Sequence, residues 1–556
     1  MTTNPTRSAA GPWSSLGDFT AGPRMIPIAL LAIGIGVLAG FVALALIKLI
    51  AVFTNLFFFQ RWGTDMVSPA GHHLGAGVII VPVLGALIIG LMARFGSERI
   101  RGHGIPEALE SIMLRGSRVE PRVAFLKPLS SAISIGSGGP FGAEGPIIMT
   151  GGAFGSLVAQ VFHLTAAERK TLLVAGAAGG MAATFGTPIA ATLLAVELLL
   201  FEWKPRSFIP VALAAAAAMA TRNHLFPAPP LFPVPTHATM FGVVGLLAAA
   251  ACGLGAGVLS MAMTASVYLF EDLFHRLPIH WMWWPAIGGL VIGLGGLVEP
   301  RALGVGYDTI QGLLSGEDGL RAIVALVAVK WAIWAFSLGS GTSGGVLAPL
   351  LMIGGALGAI EGHVLPFEGP GFWSLVSMGA ILGGTMRSPL TGIIFAAEVT
   401  HDWSSMVPIT IAAVIAHGFT VLTLKRSILT EKVARRGYHI TREYEVDPLE
   451  VLFVRDVCPA EAERASSGAA APAPGHSRPL SPELRVHLDD TLRTVVYRMA
   501  AADVTILPIV DDHGGFLGEV ALADVLKARL RHLEQETRRD RPIPVERLLT
   551  PFMRSR

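Results

Sequence analysis

The chain has 556 residues, of which 52% are hydrophobic and 15% charged, and its mean hydropathy is +0.59. This composition excludes an ordinary soluble domain and indicates a protein that lies largely within a membrane. The formal net charge of +2 gives no electrostatic reason to expect nucleic-acid binding. Cys252 and Cys458 have no neighbouring ligands in the sequence, and therefore predict neither a metal site nor a structural disulfide.

The first predicted elements are a cytoplasmic segment, residues 1–24, and a long apolar run from Met25 to Phe59. The run exceeds the roughly 20 residues that cross a bilayer and is too long for a cleaved signal peptide. Further apolar stretches, several too short or too glycine-rich for a simple spanning helix, are predicted near residues 73–94, 208–220, 240–270, 283–298, 322–338, 370–399 and 405–424. Interrupted helices at membrane depth must be buried in protein or line a cavity.

Basic residues predict how the chain is oriented in the membrane. They form three clusters: Arg94, Arg99 and Arg101; Lys204 and Arg206; and Lys425, Arg426, Arg435 and Arg436. By the positive-inside rule these segments and the C-terminal tail are expected in the cytoplasm. The sequence thus predicts a multi-pass protein of the cell (inner) membrane with a cytoplasmic C-terminal domain.

A stretch of the first half of the chain reappears about 200 residues later. The first copy, GAEGPIIMTGGAFG, covers Gly142–Gly155, and the second, GGVLAPLLMIGGALG, covers Gly344–Gly358. The similarity extends to Glu197 and Glu398, which we expect to accept hydrogen bonds from neighbouring loop amides. Transporters built from two repeats place their sites where Gly/Pro-broken helices of both halves meet. The sequence therefore predicts an all-α polytopic fold with two inverted repeats, and a substrate site at these loops.

The chain is predicted to divide into a transmembrane domain, residues 25–437, and a small α/β domain, residues 438–556. Charge rises after residue 440, and residues 460–481 are rich in Ala, Pro, Ser and Gly, which is typical of a flexible insert. Hydrophobic patterning predicts strands at 485–488, 505–511 and 516–522, with helices at 490–501 and from Ala523 onward.

Four segments, in matching order and spacing, resemble the CLC family of chloride channels and proton-coupled chloride exchangers. They are GHGIPEA (Gly102–Ala108), GSGGPFGAEGP (Gly136–Pro146), SGGVLAP (Ser343–Pro349) and SPLTGIIFAAEVT (Ser388–Thr400). The resemblance covers most of residues 25–437. It implies that these turns converge, so that amides near Gly104 and Ile105 and those of Gly145, Val346 and Leu347 face one anion pathway. Helix N-termini suit that role because their free N–H groups and dipole attract anions.

The resemblance also assigns a role to Glu144. In the family this glutamate is an external gate that competes with anions when deprotonated and swings away when protonated. The alternative is a plain carboxylate stabilised by the helix dipole. Ala143 stands where the family usually has Lys or Arg, and Lys127 falls where many members have a basic residue that partly compensates. Lys127 could equally be a snorkelling or ion-paired lysine.

The chain departs from the family at three further positions. His103 replaces the serine that contacts the central anion; its imidazole could donate to an anion or satisfy a backbone carbonyl. Leu429 stands at the central tyrosine position, so the inner hydroxyl contact is missing. Leu198 replaces the internal proton-transfer glutamate and cannot relay a proton. Glu202, four residues on, would share a helical face with Leu198 and is an alternative place for protons to enter, or an interfacial carboxylate.

The tail resembles a cystathionine-β-synthase (CBS) motif, with one unit at 451–534 and the start of a second at 545–553. Asp524 matches the ribose-contacting aspartate of such motifs, but Ala521 replaces the preceding Ser or Thr, so only weak adenine-nucleotide binding is expected. A regulatory or dimer-stabilising module is the alternative.

These features predict transport of chloride or a similar small anion through a homodimer, gated by Glu144 and channel-like or loosely coupled to protons. The alternatives are a chloride/proton antiporter with a non-standard proton route, a fluoride/proton antiporter, and a membrane-linked sensor of nucleotide or ionic strength. No acid/base pair, nucleophile, metal cluster or phosphate loop is placed for catalysis, so neither an enzyme nor a cofactor is expected.

Overall fold

The computed structural model describes residues 21–225, 230–235, 237, 242–366, 368–437, 449, 452–458, 484–511, 513 and 515–537. The chain divides into a large compact unit, Phe19–Arg442, and a small one that contains Glu443–Arg556. Three predicted features, most of the segment 1–24, the insert at 460–481 and the second CBS start at 545–553, lie outside the described residues.

The large unit is built from helices that fall into two series of eight, followed by one more. The first series is α1 Met25–Phe59, α2 Ile80–Phe95, α3 Ile105–Leu114, α4 Pro121–Gly136, α5 Glu144–Val161, α6 Ala166–Phe185, α7 Pro188–Leu194 and α8 Pro205–Leu225. The second is α9 Val243–His275, α10 Trp284–Val298, α11 Tyr307–Ser315, α12 Leu320–Gly339, α13 Leu347–Glu361, α14 Phe372–Met386, α15 Pro389–Thr400 and α16 Met406–Thr423, after which comes α17 Ile428–Arg435.

The two series pack alike, as expected of two repeats. Helix α5 packs on α6 and α6 on α8 in the first, while α13 packs on α14 and α14 on α16 in the second. Six helical segments are long and apolar enough to cross a membrane: Met25–Phe59, Gly75–Phe95, Val243–His275, Trp281–Val298, Leu320–Gly339 and Met406–Arg435. The architecture is thus that of a multi-pass membrane protein with broken helices.

One apolar stretch that reads as continuous in the sequence is interrupted in the structure. Residues 370–399 form α14 and α15, separated at Arg387, whose φ of 56° lies in the left-handed region. The equivalent break in the first half, between α6 and α7, falls at Gly186 with φ 74°. Glycine takes this conformation at little cost, whereas arginine is strained there. The Arg387 guanidinium donates to carbonyl oxygens at the end of α16, including Thr420 at 2.8 Å.

The small unit contains one antiparallel hairpin and covering helices. Strands β1 (Ile506–Val510) and β2 (Phe516–Ala521) pair, with α19 (Leu492–Ala502) and α20 (Leu522–Thr537) against them and a short helix α18 (Val454–Val457) before them. These elements match the predicted ones to within two residues. The predicted strand at 485–488 is wrong as a strand, because Val486 makes only a single bridge, to Ile509.

Candidate functional site

Three loops meet at the centre of the large unit and are joined by backbone hydrogen bonds. Gly142 N–H donates to Gly345 O at 3.1 Å, and Gly345 N–H donates back to Gly142 O at 2.9 Å. The third loop joins through Gly102, whose N–H donates to Thr342 O at 2.9 Å and whose carbonyl accepts from Gly344 N at 3.4 Å. The three predicted motifs therefore form one structural element.

Three helices, α3, α5 and α13, begin at these loops, and their N-termini approach closely. A Cβ added to Gly104 would lie 2.3 Å from Gly145 O, and one added to Gly145 would lie 1.8 Å from His103 O. Only glycine lets two backbones come this near. Because the N-terminal end of each helix carries partial positive charge, the meeting point is a place where an anion is favoured.

The amides predicted to face an anion differ in their surroundings. Ile105, Gly145, Val346 and Leu347 are all buried at this meeting point. The amide of Gly104 is engaged within its own helix, since it donates to Glu107 Oε2 at 2.8 Å and completes the cap of α3.

Glu144, the first residue of α5, lies beside this meeting point with 0% of its surface exposed. A Cβ added to Gly345 would lie 2.9 Å from Glu144 Oε2, so the carboxylate is packed against the opposing loop. Neither oxygen has a hydrogen-bond partner within the described residues, although the N–H groups of Glu144 itself and of Ala348 face the carboxylate. A buried carboxylate in front of two helix N-termini occupies a position suited to an anion.

Lys127 is fully buried in α4 and ties two of the three loops together. Its ammonium donates to Ile100 O at 2.9 Å, Gly102 O at 2.7 Å and Ser343 Oγ at 3.2 Å. It neither snorkels nor forms an ion pair with any carboxylate in the described part of the chain. Lys127 therefore acts on the site through the loops that it holds.

Lys330 is the equivalent lysine of the second half, and sequence reasoning missed it. It is also fully buried, and it donates to Ala302 O and Gly304 O, both at 2.9 Å. These carbonyls precede α11 as Ile100 and Gly102 precede α3. Placing the two repeats side by side was the signal that would have found it.

His103 lies at the meeting point with 3% of its surface exposed. Its Nδ1 has no hydrogen-bond partner in the part of the chain that the structure describes, so this nitrogen does not satisfy a backbone carbonyl. Leu429 is buried in α17, which packs on α3. A lysine that the sequence did not single out, Lys432, fills the space beside Gly102 and lies 3.6 Å from Glu107 Oε1.

Leu198 and Glu202 do not lie on one continuous helix, so their predicted common face is wrong. Leu198 is buried in a π-helical turn, Ala195–Leu200, and the chain leaves it at Phe201 with φ 51°. Glu202 follows this break and accepts from Ser207 Oγ at 3.0 Å. It is surrounded by cations, namely Lys170 at 4.0 Å, Lys204 at 3.6 Å and Arg206 at 4.0 Å.

Glu197 and Glu398 cap helices of the opposite repeat, as their matching positions predict. Glu398 accepts from Ile189 N at 3.1 Å and Ala190 N at 2.7 Å, at the start of α7. Glu197 accepts from the amides of Leu390 at 3.2 Å and Thr391 at 2.8 Å, at the start of α15. The two carboxylates thus make reciprocal contacts between the repeats.

Two cavities lie near the site, and Glu144 lines neither of them. One, of about 790 Å³, is lined by residues that include Arg101, Glu107 and Lys432. The other, of about 370 Å³, is lined by residues that include Arg222 and Tyr307. The first contains members of the basic clusters, whereas the second lies near the far end of α8.

In the small unit, Asp524 caps its own helix. Its Oδ2 accepts from Ala521 N at 3.1 Å, and its Oδ1 lies 3.8 Å from Lys527 Nζ. Over the described residues of both units, no group of three or more His, Cys, Asp and Glu side chains is placed to hold a metal ion.

The chain matches the family model of the voltage gated chloride channel over residues 84–421. It is 26% identical to a putative chloride channel protein ClcB-like of Ralstonia nicotianae, over 64% of this chain and 85% of that protein. It is 27% identical to the voltage-gated ClC-type chloride channel ClcB of Escherichia coli O127:H6, over 73% of this chain and 99% of that protein.

Two solved structures share the fold. A slow cyanobacterial Cl⁻/H⁺ antiporter aligns with a TM-score of 0.66 at 19% identity, covering 75% of this chain and 99% of that chain. A CLC-type fluoride/proton antiporter aligns with a TM-score of 0.62 at 20% identity, covering 74% of this chain and 98% of that chain. The chain therefore belongs to the voltage gated chloride channel (CLC) family of anion-transporting membrane proteins.

Proposed function

We propose that this protein conducts chloride, or a similar small anion, through the meeting point of α3, α5 and α13, and that Glu144 gates this pathway. The observation that carries the proposal is the Glu144 carboxylate, buried without a hydrogen-bond partner among the described residues in front of two helix N-termini. A carboxylate is costly at membrane depth unless it has a function there.

The gate acts by competition for one position. While Glu144 is charged, it occupies the place that favours an anion, and the loops around it leave no room for both. Protonation removes the attraction between the carboxylate and the helix N-termini, so the side chain can leave and an anion can enter. The rigid loops, held by Lys127 and by the Gly142–Gly345 pair, keep the amides in place meanwhile.

Channel-like or loosely coupled transport is favoured over tight exchange. Leu198 has no group that can carry a proton, and Glu202 is held among three cations that favour its charged form. His103 is nearer to the site and would be the first candidate for a non-standard proton route, if exchange were found.

A second candidate is fluoride/proton antiport. The specific observation in its favour is that imidazole and aliphatic side chains, His103 and Leu429, replace the hydroxyl groups expected of a chloride site. One solved structure that shares the fold is described as a fluoride/proton antiporter.

The test is anion efflux from liposomes that contain the purified protein, followed with chloride-selective and fluoride-selective electrodes. Chloride efflux that changes in E144Q, with E317Q as an exposed-carboxylate control, would support the proposal. Fluoride efflux without chloride efflux would favour the second candidate. No efflux of either anion would refute both.

We also propose, from the family resemblance, that the protein works as a homodimer with a cytoplasmic tail and is not an enzyme. In the tail, the Asp524 carboxylate is already engaged by Ala521 N, which favours a regulatory or dimer-stabilising role over nucleotide binding. Calorimetric titration of the full protein with ATP would decide between these roles, since a binding signal lost in D524A would favour a nucleotide sensor.

A further inference from the structure

The 370 Å³ cavity lies away from the basic clusters and carries features of an anion site. Helix α8 begins beside Lys204 and Arg206, which the charge distribution assigns to the cytoplasm. Arg222, which lines the cavity, lies near the other end of α8, about 25 Å along the helix. The cavity is therefore on the side from which an anion would reach Glu144 from outside the cell.

Arg222 provides a fixed positive charge in this cavity. The residue is 8% exposed, and its Nη1 donates to Ala183 O at 2.9 Å and Thr184 O at 3.3 Å, in the last turn of α6. These carbonyls hold the guanidinium in one place without neutralising it. Because Ala143 leaves the gate without the usual neighbouring cation, Arg222 is the basic residue of the cavity that stands nearest in role.

Tyr307 lines the same cavity and has an unused hydroxyl group. The hydroxyl oxygen is buried and has no hydrogen-bond partner in the described residues. The rings of Phe185 and Phe232 pack against the tyrosine at centroid distances of 6.4 and 5.8 Å, which fixes its position. Glu144 and Arg222 are the charged groups close enough to act on this hydroxyl. A buried O–H donor without an acceptor is costly, and a bound anion would supply the acceptor.

The loop that carries Tyr307 is the second-repeat counterpart of the loop that carries His103. Gly304 and Gly306 match Gly102 and Gly104, and Lys330 holds this loop by two carbonyl oxygens as Lys127 holds the other. Helix α11 begins at Tyr307, so its N-terminal amides also point toward this end of the cavity. Asp308 is the acidic residue in the lining; it is exposed and weakens, but does not cancel, the positive field.

We propose that this cavity is an outer binding site for the transported anion, in which Arg222 supplies the charge and the Tyr307 hydroxyl donates a hydrogen bond before the anion reaches Glu144. This inference rests on the proposed anion transport and adds to it a site that the family motifs do not contain. The occupant is a small monovalent anion, because the cavity offers one cation and one neutral donor at its inner end.

The experiment measures the chloride dependence of flux in liposomes for wild type, Y307F, R222Q and R222K, with R321Q as the control. Arg321 is an exposed residue at the start of α12 and does not line the cavity. Removing one hydrogen bond to a charged ligand should raise the half-saturating chloride concentration about threefold in Y307F, and about five- to tenfold in R222Q. R222K and R321Q should stay within about twofold of wild type.

Y307F removes a single oxygen that has no partner, so it should fold even if R222Q does not, and melting curves in detergent would check both. An unchanged half-saturating concentration in Y307F and R222Q, with normal wild-type flux, would overturn the outer site and leave the proposed function intact. A wild-type protein that moves no anion would refute the proposed function and this inference together.

Discussion

Gly142 and Gly345 hold equivalent positions in the two repeats and exchange both of their backbone hydrogen bonds, at 3.1 and 2.9 Å. Equivalent residues contact each other in this way only at a two-fold axis. The pseudo-symmetry axis of the molecule therefore passes through the site, with α5 and α13 beginning on either side of it. The Glu144 carboxylate lies beside this pair, so one repeat provides the gate and the other faces it.

A side chain at Gly145 should destroy the site. In G145A the new methyl group would lie 1.8 Å from His103 O, where no backbone shift can be small. We expect a loss of about 3 kcal/mol or more in the free energy of unfolding, and no anion flux. G418A is the control, because nothing lies within 4 Å of that position in α16. Normal flux in G145A would mean that the loops do not approach as described.

The two buried lysines should be equivalent in their effect on stability. K127M or K330M leaves two buried carbonyl oxygens without their donor, so each should lower the free energy of unfolding by about 2–5 kcal/mol. The measurement is thermal unfolding in detergent, with K48M as the control, since Lys48 is exposed and donates once, to Thr64 O. A stable K127M would contradict the assigned role.

The reciprocal caps between repeats should be structural. E398A and E197A each remove an acceptor shared by two amides at the start of a helix, and each should lower the free energy of unfolding by about 1–2 kcal/mol. E317A, at an exposed loop position, should have no effect. The half-saturating anion concentration should not change in any of these variants. If transport failed in a variant that melts normally, the glutamate would belong to the pathway.

The fold and the loops of the site could be predicted because their signals are local or repeated. Gly/Pro turns before apolar runs locate the starts of α5 and α13, and the repeat implies that their loops come together. The repeat also contains Lys330, which appears once Lys127 is aligned with its counterpart. The break after Leu198 could not be predicted, since nothing in the letters AVELLL distinguishes a π-helical turn from an α-helix.

Other features depend on long-range packing that leaves no pattern in the sequence. Lys432 reaches Gly102 only because α17 packs on α3. His237 and Asp402 come from separate loops and meet at 2.6 Å, both buried. Neither residue has a sequence neighbour that predicts its partner.

The His237–Asp402 pair should make stability depend on pH. Burial alone would lower the pKa of His237, but its hydrogen bonds with Asp402 and Pro370 O raise the pKa above the ordinary value. Burial likewise opposes the charge of Asp402, yet hydrogen bonds from His237, Ser404 and Ser405 lower its pKa to about 2. The histidine contribution is complete below the ordinary histidine pKa and is lost as pH rises through the raised pKa. The aspartate contribution is lost only as pH falls toward about 2.

Melting temperatures in detergent at about pH 5.5 and about pH 9 test this dependence. Wild type should lose stability between these values, H237N should lose much less, and H224N, which changes an exposed histidine at the end of α8, should behave like wild type. Identical pH dependence in wild type and H237N would show that the pair does not control it.

The most direct test of the gate is simultaneous chloride and proton flux from liposomes with wild type and E144Q, at several values of external pH. Wild-type chloride flux should rise as external pH falls and carry few or no coupled protons, because protonation frees the Glu144 position and Leu198 blocks the inner relay. E144Q, which is neutral at all pH values, should conduct chloride at a rate that pH does not change. If E144Q kept the pH dependence of wild type, Glu144 would not be the gate, and the account would be wrong.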